Sequence, residues 1–191
     1  MNDKKDEKTT NKRARKSWAH SAKECAYLAV FIALIIALQV VFSFVPGVEL
    51  VTVMFVAYAF VMGAKRGVIA ATGFSLLRQL VFGFYPKVLI LYLIYFNLLT
   101  FVFGLMGRKT ELRAKKVWLV TLVACIGTTC FTMLDNLLTP IWYGYNARLT
   151  WIYFYGSMPF MIPQVICTAL SVAFLFLPLA YVFKGLKGRL G

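Results

Sequence analysis

The chain has 191 residues, of which 61% are hydrophobic and only 15% are charged, and its formal net charge is +14. In soluble domains about a quarter of all residues are charged. The present composition therefore excludes an ordinary soluble domain and indicates one integral membrane domain. In a soluble chain such a positive charge would suggest a nucleic-acid partner. Here the positions of the charges along the chain exclude that partner, as described below.

In chain order, residues 1–22 form a basic polar tail that we predict to be cytoplasmic and disordered. Residues 23–185 are predicted to form one membrane domain, and residues 186–191 a short cytoplasmic tail. The predicted fold class is all-α, because the apolar runs have the length of membrane helices rather than of strands. They predict six transmembrane helices, at about 24–44, 49–64, 67–84, 88–106, 117–138 and 160–183.

The distribution of lysine and arginine predicts the orientation of these helices. Eight lie in residues 1–23, two after the second span, five in the loop after the fourth span and three in residues 184–191. The opposite side has only Lys87 and Arg148. Because cytoplasmic loops are enriched in positive residues, both termini are predicted to be cytoplasmic in a multi-pass protein of the cell membrane. The net charge therefore reflects topology.

Nearly all unusual polar residues of the spans collect in their outer halves, and Asn97 lies deeper, near the midplane of span four. A charge inside an apolar segment is costly, so by default it marks a functional site or a paired structural group. Arg78 and Asp135 are expected at similar depth, where they either form a buried ion pair or line a pocket for a ligand; the two interpretations are compatible. The candidate substrate-binding residues of the spans are Glu49, Arg78, Gln79, Asn97, Asp135 and Asn136.

The segment 139–159, predicted as an outer loop, is dense in aromatic residues. Aromatic belts at membrane interfaces are common and explain about half of them. Aromatic faces interleaved with polar groups also suit a flat heteroaromatic solute, and Gly144 and Gly156 would let the loop act as a lid. From this segment the candidate substrate-binding residues are Trp142, Tyr145, Asn146, Trp151 and Tyr155.

The first span carries Ala29, Ala33 and Ala37 on one helix face. Small residues at this spacing allow another helix to approach closely, within this chain or in a separate membrane protein. The sequence has no ATP-binding motif and no catalytic set of nucleophile, base and orienting group, and its only histidine is His20. We therefore expect neither an enzyme nor a metal or cofactor site in this chain.

Together, six spans in 191 residues, cytoplasmic termini and the alanine face resemble the substrate-binding S component of energy-coupling factor (ECF) transporters. The turn at 45–49 and the stretch 63–67, Gly-Ala-Lys-Arg-Gly, are also similar, and the resemblance covers about residues 22–184. It implies capture of a vitamin or related micronutrient from outside. It further implies association with a transmembrane T component, through Ala29, Ala33 and Ala37, and with two ATPase subunits that use the ATP. No pattern assigns the vitamin.

Two other classes of function are open at this stage. A small membrane-embedded enzyme that modifies lipids would need a cluster of acids, histidines or cysteines, which the sequence does not offer. A homo-oligomeric channel would use the alanine face for self-association.

Overall fold

The computed structural model describes residues 3–44, 50–110, 112 and 116–190, and the side chains of 22–44, 50–110, 112 and 116–189. The described residues form helices joined by short turns and contain no strand, which confirms the all-α class. The six helices are α1 (Asp3–Phe42), α2 (Leu50–Met62), α3 (Ala64–Phe82), α4 (Pro86–Lys109), α5 (Val117–Tyr143) and α6 (Ala147–Leu190).

Four of these helices are long and apolar enough to cross a membrane: Ala22–Phe42 of α1, α4, α5 and Ala147–Arg189 of α6. The shorter α2 has 13 residues, which corresponds to about 20 Å against the roughly 30 Å of the hydrocarbon core. In α3, Lys65, Arg66 and Arg78 interrupt the apolar run. The prediction of a membrane protein built from apolar helices therefore holds, whereas six full-length spans are not established.

The short α2 is the central helix of the fold. Its residues from Thr52 to Phe60 are all buried, because α6, α4, α3 and α1 pack around it. Aromatic rings dominate these contacts: Phe31 of α1 stacks on Tyr58 with ring centroids 3.9 Å apart, and Phe55 meets Phe96 of α4 at 4.9 Å. Ring pairs at such distances stabilise a core beyond their buried area alone. The surrounding helices shield α2 from lipid.

Alternating helix directions produce two ends, which we call distal and basal. At the distal end α1, α3 and α5 end and α2, α4 and α6 begin. There Lys87 of α4 meets Asp135 of α5. At the basal end Arg66 of α3 pairs with Glu24 of α1.

The α4 helix approaches α2 and α3 closely at its basal end through two glycines. A Cβ atom at Gly104 would overlap the backbone of Ala64, and one at Gly107 would overlap the backbone of Phe60. Glycine at these positions allows nearly direct backbone contact between helices, as in other membrane helix pairs.

We predict that Gly104→Ala lowers the free energy of unfolding by about 1–3 kcal/mol, because the added methyl group forces the helices apart. Gly185→Ala is the matched control, since a Cβ there meets no atom within 4 Å. It should be neutral or stabilising by up to about 1 kcal/mol, the difference in helix propensity. Melting temperatures of the two variants in the same detergent provide the comparison. Equal melting temperatures would contradict the close helix contact.

The structure differs from the sequence prediction in segment 139–159. This segment is not a loop with a lid: α5 continues to Tyr143 and α6 begins at Ala147. Gly144, at φ 64°, ends α5 in a left-handed conformation that favours glycine. Asn146 then starts α6 by accepting a hydrogen bond from the Leu149 amide at 2.9 Å. The two helices therefore form a tight hairpin.

Residues 3–22 also belong to α1, which begins at Asp3. The physical reason lies in their composition: residues 3–42 contain no glycine or proline, and lysine, glutamate and alanine favour helix. The turn at 45–49 lies outside the described residues.

Candidate binding site at the distal end

The first candidate cavity lies at the distal end, around Arg78. It has a volume of about 180 Å³. Its walls come from the distal parts of five helices, α1 to α5, and combine aromatic rings with a few polar groups. The residues that line this cavity include Gln39, Thr52, Arg78, Phe82, Tyr92 and Phe131.

Arg78 is held in this cavity by groups of three helices. Its Nε donates a hydrogen bond to Gln39 Oε1 at 2.9 Å. Its guanidinium carbon lies 4.6 Å from the ring centroids of both Phe82 and Tyr92, within the range of cation–π contacts. Nη1 is buried and has no hydrogen-bond partner among the described residues. The arginine is thus fixed in orientation and keeps donor capacity for an acceptor group of a ligand.

Of the two interpretations left open for Arg78 and Asp135, the ion pair between them is not formed. The carboxylate instead forms a salt bridge with Lys87, with 2.7 Å between Nζ and Oδ1. It also accepts hydrogen bonds from Tyr153 at 2.9 Å and from Thr139 at 3.3 Å. The reason is position: Lys87 in the first turn of α4 lies at the level of Asp135, and its side chain is only 15% exposed. This network joins α4, α5 and α6.

We predict that Lys87→Met lowers the free energy of unfolding by about 2 kcal/mol, because it leaves a mostly buried carboxylate without its cation. The double variant Lys87→Met/Asp135→Asn should recover part of this loss, since neither charge then remains. Unfolding of both variants and of Asp135→Asn in detergent gives the coupling between the two residues. Strictly additive effects would show that the ion pair contributes nothing.

A second, more open cavity of about 380 Å³ lies between α5 and α6. Phe131 lines this cavity as well as the first one, so the two are neighbours. Its rim includes Asp135 and Tyr153, and Asn136 lines it with only 5% of its surface exposed. Neither Nδ2 nor Oδ1 of Asn136 has a hydrogen-bond partner among the described residues. Leaving such buried groups unpaired costs about 1–3 kcal/mol each, which a bound ligand would offset.

Gln79 and Asn97 have structural contacts and line neither of these two cavities. Gln79 Oε1 accepts a hydrogen bond from the Tyr85 amide at 3.0 Å and closes the turn between α3 and α4. Asn97 Oδ1 accepts one from the Thr72 hydroxyl at 3.1 Å and joins α4 to α3. Glu49 lies outside the described residues.

Most aromatic residues of the α5–α6 hairpin are exposed and lie away from both cavities, whereas Tyr153 is partly buried and lines the second cavity. Asp135 lies level with the start of α4, yet α5 continues for eight more residues, about 12 Å. The hairpin therefore projects beyond α4. Its exposed rings are typical of an interfacial aromatic belt, and its asparagine caps α6. The candidates that line neither cavity are Trp142, Tyr145, Asn146, Trp151 and Tyr155.

Sequence reasoning missed Gln39, Tyr92, Lys87 and Tyr153 as site residues. Gln39 was detectable, because it is the single amide in the apolar part of the first span. Tyr92 and Tyr153 stand among other aromatic residues and give no separate signal. In the described part of the chain, no group of three His, Cys, Asp or Glu residues is placed to hold a metal ion.

The alanine face of α1 lies at the surface. Ala29, Ala33 and Ala37 are all exposed, whereas Phe31, Ile32 and Ile35 on the other side of the helix are buried against the core. Packing of this face within the described part of the chain is therefore excluded as its role.

Neither protein-family models, nor curated proteins, nor solved structures match the chain.

Proposed function

We propose that the protein is the substrate-binding S subunit of an ECF-type importer in the cell membrane. The observation that carries the proposal is that the cavity around Arg78 and the cavity lined by Asn136, which combine aromatic rings with polar groups, lie at the distal end, opposite the basic basal loops. By the positive-inside rule the basal end and both termini are cytoplasmic, so the cavities face outward. A small solute from outside then binds among the distal helix ends.

In this proposal the six helices cross the membrane in alternating directions. The short α2 and the charged α3 need not contact the whole hydrocarbon core, because the longer helices cover α2. Irregular or polar segments are tolerated at membrane depth where protein buries them. Six passes therefore agree with only four helices of full membrane length.

The substrate is a vitamin or related micronutrient of partly aromatic character. Rings of Tyr92, Phe82 and Phe131 offer apolar faces, and Arg78 supplies a fixed donor beside them. In this proposal the cavity binds and orients the solute, and the chain performs no chemistry on it.

In this proposal the partner subunits supply the energy for transport. A transmembrane T component docks on Ala29, Ala33 and Ala37, where small side chains allow close helix approach. Two ATPase subunits bind and hydrolyse ATP and drive delivery of the solute to the cytoplasm.

Cross-linking separates this proposal from a homo-oligomeric channel, because both use the exposed alanine face. Ala33→Cys is introduced into a chain whose four free cysteines, Cys25, Cys125, Cys130 and Cys167, are replaced. After co-expression with the T component and the ATPases, oxidative cross-linking should join the chain to the T component. Links between two copies of this chain would favour the channel instead.

A further inference from the structure

The unpartnered amide of Asn136 indicates what the α5–α6 cavity binds. A carboxamide presents one donor and one acceptor side by side; Asn136 lines the cavity, and both of its polar side-chain atoms are buried and lack hydrogen-bond partners in the described residues. Buried polar groups in native proteins are nearly always hydrogen-bonded. The missing partner is therefore expected from a bound molecule that offers an acceptor next to a donor.

We propose that this cavity holds a flat heterocycle with a cis-amide (lactam) edge, which pairs with Asn136 through two hydrogen bonds. The lactam carbonyl accepts from Nδ2, and the lactam N–H donates to Oδ1. This assignment rests on the proposed import function, because it names the chemical class of the solute that the distal end captures.

The charged groups of the cavity favour a ligand whose edge is neutral. The Asp135 carboxylate is satisfied by Lys87, Tyr153 and Thr139, so neither an anion nor a cation of the ligand finds a free counter-charge there. Thr132 is also engaged, with its hydroxyl 3.2 Å from Gln164 Oε1. Within this cavity, among the described side chains, the Asn136 amide is the group with both of its polar atoms available.

The walls of the cavity suit a planar ring system. Phe131, Tyr153 and Phe160 contribute aromatic faces, and Met161 adds an adaptable thioether. At about 380 Å³ the cavity is within the usual range for small-molecule sites. Gly156 in the α6 wall has no side chain, and a Cβ there would meet no protein atom, so the space beside it is open.

Lumazine, a bicyclic lactam, and 1,3-dimethyllumazine, in which methyl groups replace both lactam N–H donors, are the probes. Calorimetric titration of the full chain in detergent should give saturable lumazine binding and at least tenfold weaker binding of the dimethyl compound. Asn136→Leu should weaken lumazine binding by at least tenfold and abolish the difference between the probes. Asn97→Leu is the matched control, since the Asn97 amide lies outside the cavity and should leave lumazine affinity unchanged.

Folding of Asn136→Leu is checked by its melting temperature. We expect an unchanged or higher value, because an apolar group of similar size replaces an unpaired buried amide. Asn136→Asp, which keeps the acceptor and loses the amide donor, gives a second variant with an expected loss of lumazine affinity.

Absence of saturable lumazine binding by the wild-type chain, or equal lumazine affinity in Asn136→Leu, would overturn the lactam assignment. The import function has a separate readout. If the T component and ATPases drive uptake of a solute without a cis-amide edge, the proposed function stands and the substrate class assigned here is wrong.

Discussion

Ala33→Trp is expected to abolish ATP-dependent solute uptake and to leave solute affinity unchanged. Ala33 lies in the middle of the exposed alanine face and lines neither distal cavity; it precedes Gln39 of the first cavity by six residues, about 9 Å along α1. A tryptophan there prevents close approach of another helix, and since no described residue packs on this face, the fold should tolerate it. We expect at least a roughly 50-fold lower uptake rate, because docking depends on backbone proximity.

Leu98→Trp is the matched control, since Leu98 is 61% exposed on α4, a different surface of the protein. It introduces the same bulky side chain and should retain uptake. The solute that co-purifies with the wild-type chain, identified by mass spectrometry, serves as the ligand in the binding and uptake measurements. Loss of solute binding in Ala33→Trp would show that the alanine face supports the fold or the site instead of a partner.

Arg78→Ala is expected to weaken binding of that solute by about 10–100-fold, the equivalent of one charge-assisted hydrogen bond. The guanidinium is held between two aromatic rings and Gln39 while its Nη1 stays unpaired, so its geometry suits an acceptor of the ligand. Arg78→Lys keeps the charge and loses the planar contacts, and it should show an intermediate loss.

Arg148→Ala is the control for this prediction, because Arg148 is exposed at the same end of the protein. It removes an equal charge without touching either cavity, so affinity should remain that of the wild type. Equilibrium titration and melting temperatures of all three variants separate loss of binding from loss of fold. Unchanged affinity and stability in Arg78→Ala would remove Arg78 from the site.

The helical class and the polar distal end could be predicted from the sequence because they depend on local patterns. Apolar runs of membrane length predict helices wherever they occur, and Arg78 is conspicuous in an apolar run whatever surrounds it. That the three alanines share one face similarly follows from their spacing along one helix, whereas the exposure of this face depends on how α1 packs.

The partners of these residues depend on packing between distant segments and could not be predicted. Asp135 was expected near Arg78 because both lie in outer halves, but which cation reaches it depends on the rotation of α4 and α5, which brings Lys87 there. Segment 139–159 was predicted as a loop, yet Pro140 lies inside α5 and Pro159 inside α6. In membrane helices such residues are tolerated when neighbouring groups satisfy the freed backbone.

Uptake of the co-purified solute into liposomes is the most direct test of the import function. The chain is reconstituted alone, with the T component, and with the T component and both ATPases. Each preparation is measured with and without ATP on the side of the membrane where the ATPases bind. Our account predicts ATP-dependent uptake only in the complete assembly and solute binding without transport by the chain alone. Uptake catalysed by the chain alone, at the rate of the complete assembly, would contradict it.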